Sequence, residues 1–350
     1  MMNATKLFWR CPFHQTNVLA RLNAVAATMH YSASAGATKL KELGTFEQSK
    51  PTSSVYNSGQ LFLHKVFAYR GVVLCSAPCK VYEKPKGGNK SIEQSGDGSL
   101  VSSSTSGREV QPNGVPYYQV LIHKGDWDIM RFPSDMTTYI LESPEGPQWA
   151  ALNGVDYVSH EDVLPYSSCE SEPIEHDLFQ KFVQVAPQVS EDGFVRLTGT
   201  ELLRTWMNNN RVWLTPVEVH RKTTEGVRIT AMSFYLGTIV KPDRSVMHVW
   251  RYNIRIENFN PTMVILRERC WKVFSLTGNM QTYQGVGVVG FCPVLSSQQP
   301  AFQYSSHIQL ESPKGGHMWG TFKMERQNGT FFDAEIPSFV LDGKRDLPNP

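Results

Sequence analysis

The stretch that decides the fold is WRYNIRIEN, residues 250–258. Large apolar residues alternate there with polar and charged ones. The apolar set is Trp250, Tyr252, Ile254 and Ile256, and the polar set is Arg251, Asn253, Arg255 and Glu257. Because successive side chains of a strand point to opposite faces of a sheet, this alternation predicts a half-buried antiparallel strand.

The same strand pattern continues on both sides of this stretch, from residue 217 to residue 343. Further strands are predicted at residues 264–274, 302–310 and 318–325. Asn328-Gly329 lies between two apolar runs, as the centre of a tight hairpin does. Regularly spaced strands without long helices favour an immunoglobulin-like β-sandwich over residues 217–343.

A glycine motif lies inside this region, since Gly285, Gly287 and Gly290 spell G-x-G-x-x-G. In a dinucleotide-binding fold such a turn follows a strand and opens a helix. Here Pro293 bars a continuous helix, and only strand patterns lie nearby. We therefore expect the glycines to allow positive φ angles or close backbone approach in a loop between sheets. An anion-binding or partner-binding loop is the alternative.

The region from residue 54 to residue 168 also consists of short apolar strands. They are predicted at residues 60–67, 71–74 and 117–122. Between them, residues 83–116 are rich in Gly, Ser, Lys and Glu, which predicts a disordered insert. With 350 residues, the chain is long enough for two such β domains.

The segment 169–216 changes to a helical period and is predicted to connect the two domains. Ile174, Leu178, Phe179 and Phe182 fall on one helical face. The sequence Thr198-Gly199-Thr200-Glu201 has the spacing of a capping box, which predicts a second helix from residue 202.

The N-terminal residues differ in composition from the rest of the chain. Residues 1–41 contain Lys and Arg but neither Asp nor Glu, and apolar residues recur at helical spacing. This composition is typical of a mitochondrial targeting leader, predicted at residues 1–35, with cleavage between residues 28 and 36. Residues 36–53 are predicted to be a linker, and residues 344–350 a tail.

Bulk properties exclude several classes of function. The formal net charge of +2 gives no long-range field for binding nucleic acid. The sequence also has no run of about 18 apolar residues, the length that a membrane-spanning helix needs. Six scattered cysteines do not form a disulfide framework, and Cys75 and Cys79 lack a second ligand pair for zinc.

The sequence offers no convincing catalytic group. His160-Glu161-Asp162 are adjacent residues whose side chains diverge, and Ser305-Ser306-His307 lacks a nucleophile elbow. We therefore predict no catalytic residue, no metal site and no cofactor.

Arginines provide the candidate binding surface. Arg267 and Arg269 share one face of a predicted strand, and Arg251 and Arg255 lie on the polar face of the preceding one. Together the four could form a basic stripe that meets an acidic partner or a phosphate backbone. A solvated face whose charges block edge pairing is the alternative.

Several motifs resemble known families. The C-terminal region resembles the ApaG domain at residues 250–258, 269–271, 285–290, 293–295, 302–306, 318–322 and 336–339, in the order of that family. Cys270 departs from it, because ApaG sequences commonly have His there. The upstream region resembles the YccV or HspQ-like domain, a small β-barrel, at residues 58–64, 69–73, 117–122 and 157–165. A leader followed by these two domains is similar to the layout of the polymerase delta-interacting protein 2 family.

This resemblance implies a mainly β fold, with a small barrel and an immunoglobulin-like or fibronectin-III-like sandwich joined by short helices. It also implies a non-enzymatic adaptor of the mitochondrial matrix and nucleoid, and of the nucleus. Its partners would be DNA polymerase and sliding-clamp proteins and the AAA+ protease machinery that HspQ-like domains serve in bacteria. The adaptor would present sheet surfaces, including exposed strand edges, to its partners. The alternative is a direct nucleic-acid or nucleotide-binding protein that uses the arginines and the glycine loop.

Overall fold

A computed structural model of the chain describes residues 42–83, 109–110, 114–127, 137–141, 143–144, 146–187, 193–216, 218–276 and 278–343. The chain divides into two compact units, Met1–Glu42 and Leu43–Pro350, and the fold below is that of the second unit. The predicted leader and tail, and the linker as far as residue 41, lie outside the described residues.

Nine strands form the N-terminal half. They are β1 (Thr45–Phe46), β2 (Leu61–His64), β3 (Arg70–Glu83), β4 (Glu109–Val110), β5 (Val115–Ile122), β6 (Thr137–Leu141), β7 (Gln148–Leu152), β8 (Val155–Ser159) and β9 (Val163–Ser167). Six of them pair in the order β1-β9-β2-β3-β5-β8. Only a 3-10 turn, His160–Asp162, joins β8 to β9 at the far side of this sheet. The sheet must therefore curl back on itself, as a small barrel does.

Both faces of this barrel sheet are buried, which explains why its strands are apolar runs rather than alternating sequences. One face contributes Phe62, Val73, Tyr118, Val120 and Val158 to the central core. The other face, with Leu61, Val72, Leu74 and Leu121, is covered by the connecting segment.

The connecting segment contains α1 (Phe179–Phe182), β10 (Val183–Val185), β11 (Leu197–Gly199) and α2 (Glu201–Leu214). The first helix is shorter than predicted, because it begins only at Phe179. Ile174 precedes it but is still buried in the same cluster as Phe179 and Phe182. The apolar spacing therefore identified the buried residues rather than the length of the helix.

Nine further strands build the C-terminal half. They are β12 (Glu218–Thr224), β13 (Val227–Val240), β14 (Val246–Asn258), β15 (Val264–Ser275), β16 (Gly278–Val286), β17 (Val294–Leu295), β18 (Ala301–Leu310), β19 (Gly316–Arg326) and β20 (Phe331–Leu341). One sheet has the order β12-β13-β14-β18. The other has the order β16-β15-β19-β20, with β17 beside β15.

The two sheets pack face to face around aromatic residues. Tyr252 of β14 lies 5.5 Å from Trp271 and 6.1 Å from Phe339, measured between ring centroids. Trp271 and Phe322 meet edge to face at 6.0 Å. This is the predicted sandwich, with the apolar side of residues 250–256 at its centre, and the predicted fold class is confirmed.

A single long strand belongs to both halves. The end of β3, Lys80–Glu83, pairs in parallel with Glu218–Arg221 of β12, so the barrel sheet continues into the sandwich. The separate domains 54–168 and 217–343 therefore stay a prediction, because residues 43–350 form one compact unit.

Strands occupy both ends of the predicted insert, residues 83–116. Glu83 still belongs to β3, Glu109 and Val110 pair with that strand, and Val115 already opens β5. Residues 84–108 and 111–113 lie outside the described residues. The predicted linker 36–53 contains β1, which pairs with β9.

The second helix begins at Glu201, one residue before its predicted start, and its N-cap lies two residues after the predicted one. Thr200, not Thr198, is the N-cap, and its hydroxyl accepts a hydrogen bond from the Leu203 amide at 3.2 Å. The same hydroxyl donates to the carbonyl oxygen of Lys181 at 2.7 Å. Thr198 pairs instead with Gln184 in the small sheet of β10 and β11.

We predict that Thr200→Ala lowers the free energy of unfolding by about 1–2 kcal/mol, because it removes the helix cap. Urea unfolding followed by circular dichroism measures the change. Thr198→Ala is the matched control and is expected to change stability by less than about 0.5 kcal/mol. Equal losses in both variants would contradict the assignment of the cap.

Candidate protein-interaction site

The polar side of β14 faces the barrel rather than solvent. Arg251 is fully buried, and its guanidinium donates to the Tyr157 hydroxyl at 3.0 Å and to the carbonyl oxygen of Thr138 at 2.9 Å. It also lies 4.1 Å from the ring centroid of Phe234. Burial lowers the pKa of Arg251, and the neighbouring Tyr157 opposes that shift.

Arg255 is the centre of a buried ion network. Its guanidinium binds Asp162, at the end of the barrel turn, at 2.8 Å, and Glu257 of its own strand at 3.0 Å. Burial alone would lower the pKa of Arg255, but Glu257 and Asp162 outweigh it and raise the pKa. Glu257 also binds Arg228 at 2.9 Å. Burial opposes the charge of Glu257, yet Arg255 and Arg228 hold its pKa below the usual value.

The predicted basic stripe is therefore wrong for two of its four arginines. Arg251 is fully buried, and the side chain of Arg255 is 11% exposed and bound to Asp162 of the barrel and Glu257. Arg267 and Arg269 lie on β15 in the other sheet. The alternation in residues 250–257 identified the two faces of the strand correctly. It could not show that charged groups of the barrel, rather than water, cover the polar face.

A small cavity lies within this interface. Its volume is about 20 Å³, and its lining includes Asp156, Arg221, Asn253, Arg255 and Gln303. A cavity of this size holds a water molecule or two, whereas pockets for small ligands measure about 300–1,000 Å³. The interface is therefore suited to holding the two halves together rather than to binding a cofactor.

The remaining two arginines lie beside the glycine motif. Arg267 pairs with Glu325 of β19. Arg269 donates to the carbonyl oxygens of Val286 at 2.9 Å and Gly287 at 2.7 Å. Its guanidinium passes so close to Gly285 that a Cβ atom there would lie 2.9 Å from Nη2. Arg269 thus holds the backbone at the start of the loop in place through these two hydrogen bonds.

The glycine loop is a tight turn after β16, not the start of a helix. Val288 and Phe291 exchange two backbone hydrogen bonds of 2.8 Å, and the residues between them have positive φ angles of 44° at Val289 and 87° at Gly290. Such a pair of angles belongs to a type I′ turn. Gly287 has a φ of 59°, and a Cβ atom there would lie 2.1 Å from the Phe291 carbonyl oxygen.

Most amides of the loop are occupied within the chain. Gly287 donates to the Arg267 carbonyl oxygen, and Val288 and Phe291 donate to each other's carbonyls. These three amides are therefore not available to a phosphate group. Binding of an anion by Gly285, Gly287 and Gly290 stays a prediction that this geometry does not favour.

The neighbouring edge of the sheet is exposed and apolar. Among the described strands, β16 pairs only with β15, so its other side is open. Met280, Tyr283, Val286, Val289, Phe291 and Val294 are 42–75% exposed along this edge and its loop. We call these six residues the edge patch. Exposed apolar groups clustered at one edge are typical of a surface that binds another protein.

Sequence reasoning did not identify the edge patch, although a signal was present. Residues 278–286 contain no charged residue and no proline, the two features that natural proteins use to protect a strand edge. The missing information was the position of the strand in the sheet, because it depends on which distant strands pair.

The other candidates for chemistry have structural roles. His160 is buried, stacks on Tyr56 at 4.9 Å and shares a hydrogen bond of 2.7 Å with the Tyr118 hydroxyl. His307 contacts Thr138 and the edge of Trp149, and burial together with Arg251 lowers the pKa of His307 to about 4.

Within the described ranges, no cluster of His, Cys, Asp and Glu could hold a metal ion. No helix among those residues is long and apolar enough to cross a membrane.

Comparison with known proteins agrees with this architecture. The model of the ApaG domain family matches residues 241–326. Polymerase delta-interacting protein 2 of mouse and of human is 42% identical over 316 residues, which cover 89% of this chain and 82% of each relative. This chain belongs to the polymerase delta-interacting protein 2 family. Protein ApaG of Parvibaculum lavamentivorans is 38% identical over 119 residues, which are 34% of this chain and 89% of that protein.

The ion network between the barrel and the sandwich predicts a strong effect of replacing Arg255. We expect Arg255→Met to lower the free energy of unfolding by about 3–5 kcal/mol, because Asp162 would stay buried without its cation and Glu257 would keep only Arg228. Urea unfolding measures the loss. Arg267→Met is the matched control, since it breaks a more exposed ion pair, and should cost about 0–1 kcal/mol. Similar losses in the two variants would contradict the buried network.

A substitution in the glycine loop is expected to stabilise the protein rather than destabilise it. Val289 is a β-branched residue held at positive φ, which is a strained conformation. We expect Val289→Asn to raise the free energy of unfolding by about 1 kcal/mol, because Asn-Gly is a favoured type I′ pair. Thermal unfolding tests this. Val286→Asn, at an exposed strand position, should bring no gain, and a gain there equal to that of Val289→Asn would contradict the turn assignment.

Proposed function

We propose that this chain is a non-enzymatic adaptor that binds protein partners, and that the edge patch is a principal contact surface. The observation that carries this proposal is the exposed apolar edge of β16 with its glycine loop. The polar face of the other sheet is already used to join the barrel to the sandwich. A protein partner would therefore meet the sandwich at the edge that the chain leaves uncovered.

The partner classes follow from relatives and from resemblance. The mouse and human relatives are named for an interaction with polymerase delta. We extend this to DNA polymerase and sliding-clamp proteins as partners of the present chain. The resemblance of the barrel to HspQ-like domains adds the AAA+ protease machinery as a second class.

The proposed location is the mitochondrial matrix and nucleoid, with the nucleus as a second site. The support is the composition of residues 1–41, which contain basic residues and no acidic ones. The adaptor would reach both classes of partner in that compartment.

Direct binding of nucleic acid is the second candidate. Arg267, Arg269 and Lys272 on β15 are the observation in its favour. Because Arg251 is buried and Arg255 is bound to Asp162 and Glu257, half of the basic stripe on which this candidate depended is already occupied. Because contacts with a phosphate backbone weaken steeply as salt rises, a salt titration separates this mode from an apolar protein contact.

We expect the adaptor to retain its partners after nuclease treatment. The experiment is affinity capture of tagged full-length protein from isolated mitochondria, with and without nuclease, followed by mass spectrometry and sequencing of the mature N-terminus. Val286→Lys should lose partners because it places a charge on the edge patch. Val240→Lys is the matched control, since Val240 is also an exposed strand valine but lies outside the patch.

Two results would overturn the proposal. One is recovery of nucleoid proteins alone, all lost with nuclease, which would favour the nucleic-acid candidate. The other is equal recovery of all partners by wild type and Val286→Lys, which would remove the edge patch from the contact surface.

A further inference from the structure

The backbone of β16 presents a regular row of unpaired groups. The Gly287 amide donates to the Arg267 carbonyl oxygen at 2.8 Å, and the register continues as Val286 opposite Glu268 and Gly285 opposite Arg269. Hydrogen-bonded and non-hydrogen-bonded pairs alternate along an antiparallel ladder. Gln281, Tyr283 and Gly285 therefore direct their amides and carbonyls toward β15. Thr282 and Gln284 direct theirs outward.

The chain itself contacts two other strands near sheet edges, β20 and β9. At β20, the Glu335 amide donates to the Thr224 hydroxyl at 3.2 Å, and the Ser233 hydroxyl donates to the Val340 carbonyl oxygen at 3.0 Å. At the barrel, β1 pairs with β9. No segment among the described residues covers β16 in this way, and its nine residues include neither a charge nor a proline, so this edge can accept another strand.

The side chains around β16 define the chemistry of that strand. On one face, Tyr283 lies opposite the core residue Trp271 and is half exposed, which offers an apolar contact to an incoming residue. On the other face, Thr282 lies opposite the exposed Lys272. Strand β15 has three basic residues and one acid, Glu268. Arg267 pairs with Glu325 and Arg269 binds the loop carbonyls, so Lys272 is the exposed cation that faces the open edge most directly. An incoming strand is therefore favoured when apolar residues alternate with acidic ones.

The same charge balance disfavours a second copy of this chain at the edge. Pairing β16 with itself would bring two basic β15 strands together, whereas an acidic segment would meet them with opposite charge. The edge patch is also asymmetric. Val286, Val289 and Phe291 lie at one end of the strand, where they can contact apolar residues that follow the added segment.

We propose that an extended segment of a partner protein, alternating apolar and acidic residues, adds to β16 as a sixth strand of the sheet. This inference rests on the proposed adaptor function and specifies its binding mode. Backbone hydrogen bonds from Thr282 and Gln284 would provide affinity. Alternate side chains would provide specificity, as in other cases of strand addition.

The decisive variant is Thr282→Pro in the full-length chain. The Thr282 amide points away from β15, so proline removes a donor from the open edge without breaking the ladder inside the sheet. Thr282→Val is the matched control, because it keeps the amide and the branched side chain. Circular dichroism and thermal unfolding check that both variants fold, and Gln284→Pro replaces Thr282→Pro if that variant does not.

The probe is a displayed library of random nine-residue peptides, selected on the wild-type protein. We expect the selected peptides to alternate apolar and acidic residues. Fluorescence anisotropy of the synthesised peptides should show binding to Thr282→Pro weakened roughly tenfold or more, and binding to Thr282→Val within about threefold of wild type.

Three outcomes would overturn the inference. They are a selection that enriches no peptide, peptides that bind Thr282→Pro as tightly as Thr282→Val, and a wild-type dimer in light scattering that Thr282→Pro abolishes. The last would assign the edge to a second copy. The proposed function is judged separately, because capture of partners that Val286→Lys loses and Thr282→Pro retains would support the adaptor while rejecting strand addition.

Discussion

The guanidinium of Arg255 is buried between the barrel and the sandwich, and the rest of the structure depends on how its charge is satisfied. Its side chain is 11% exposed, and its partners are Asp162 from the barrel turn and Glu257 from its own strand. A buried cation without partners would be strongly destabilising. The docked barrel therefore supplies one of the two acidic partners of Arg255, and the sandwich strand supplies the other. The parallel pairing of β3 with β12 brings the two halves together along the same interface.

This constraint decides which surfaces remain for function. The polar face of β14 is occupied by the barrel, and the connecting segment covers the outer face of the barrel sheet. The opposite sheet of the sandwich keeps an open edge at β16, where the glycine loop displays Val289 and Phe291. Arg269 links the two features, because it supports the loop through the carbonyl oxygens of Val286 and Gly287. The residues that suggested nucleotide binding in the sequence thus shape the end of an apolar edge.

Local patterns in the sequence predicted the elements well. The alternation around Trp250 located a strand and both of its faces, and the rejection of a helix after Gly290 agrees with the observed turn. The helix after Thr198 was found, but its cap was placed two residues too early. Both Thr198 and Thr200 can cap a helix, and pairing of β11 with β10 uses the first of them. A tertiary contact decided between two locally equivalent residues.

Features that depend on distant contacts could not be predicted in this way. Alternation shows that Arg251 and Arg255 share a face, but not that Tyr157 and Asp162 lie opposite them. The exposure of β16 follows from the order of strands in the sheet, which residues 278–286 do not encode by themselves. Sequence patterns therefore predicted the sandwich and its core, whereas the interface and the open edge required the structure.

Native-state hydrogen exchange on the full-length chain tests most directly whether the barrel and the sandwich form one body. If they do, the slowest amides of β5 and β8 in the barrel and those of β13 and β14 in the sandwich should open with the same free energy, equal to that of global unfolding. Barrel amides that exchange through a separate, lower-energy opening while β14 stays protected would contradict the account. That result would mean that the buried network of Arg255 does not hold the two halves together.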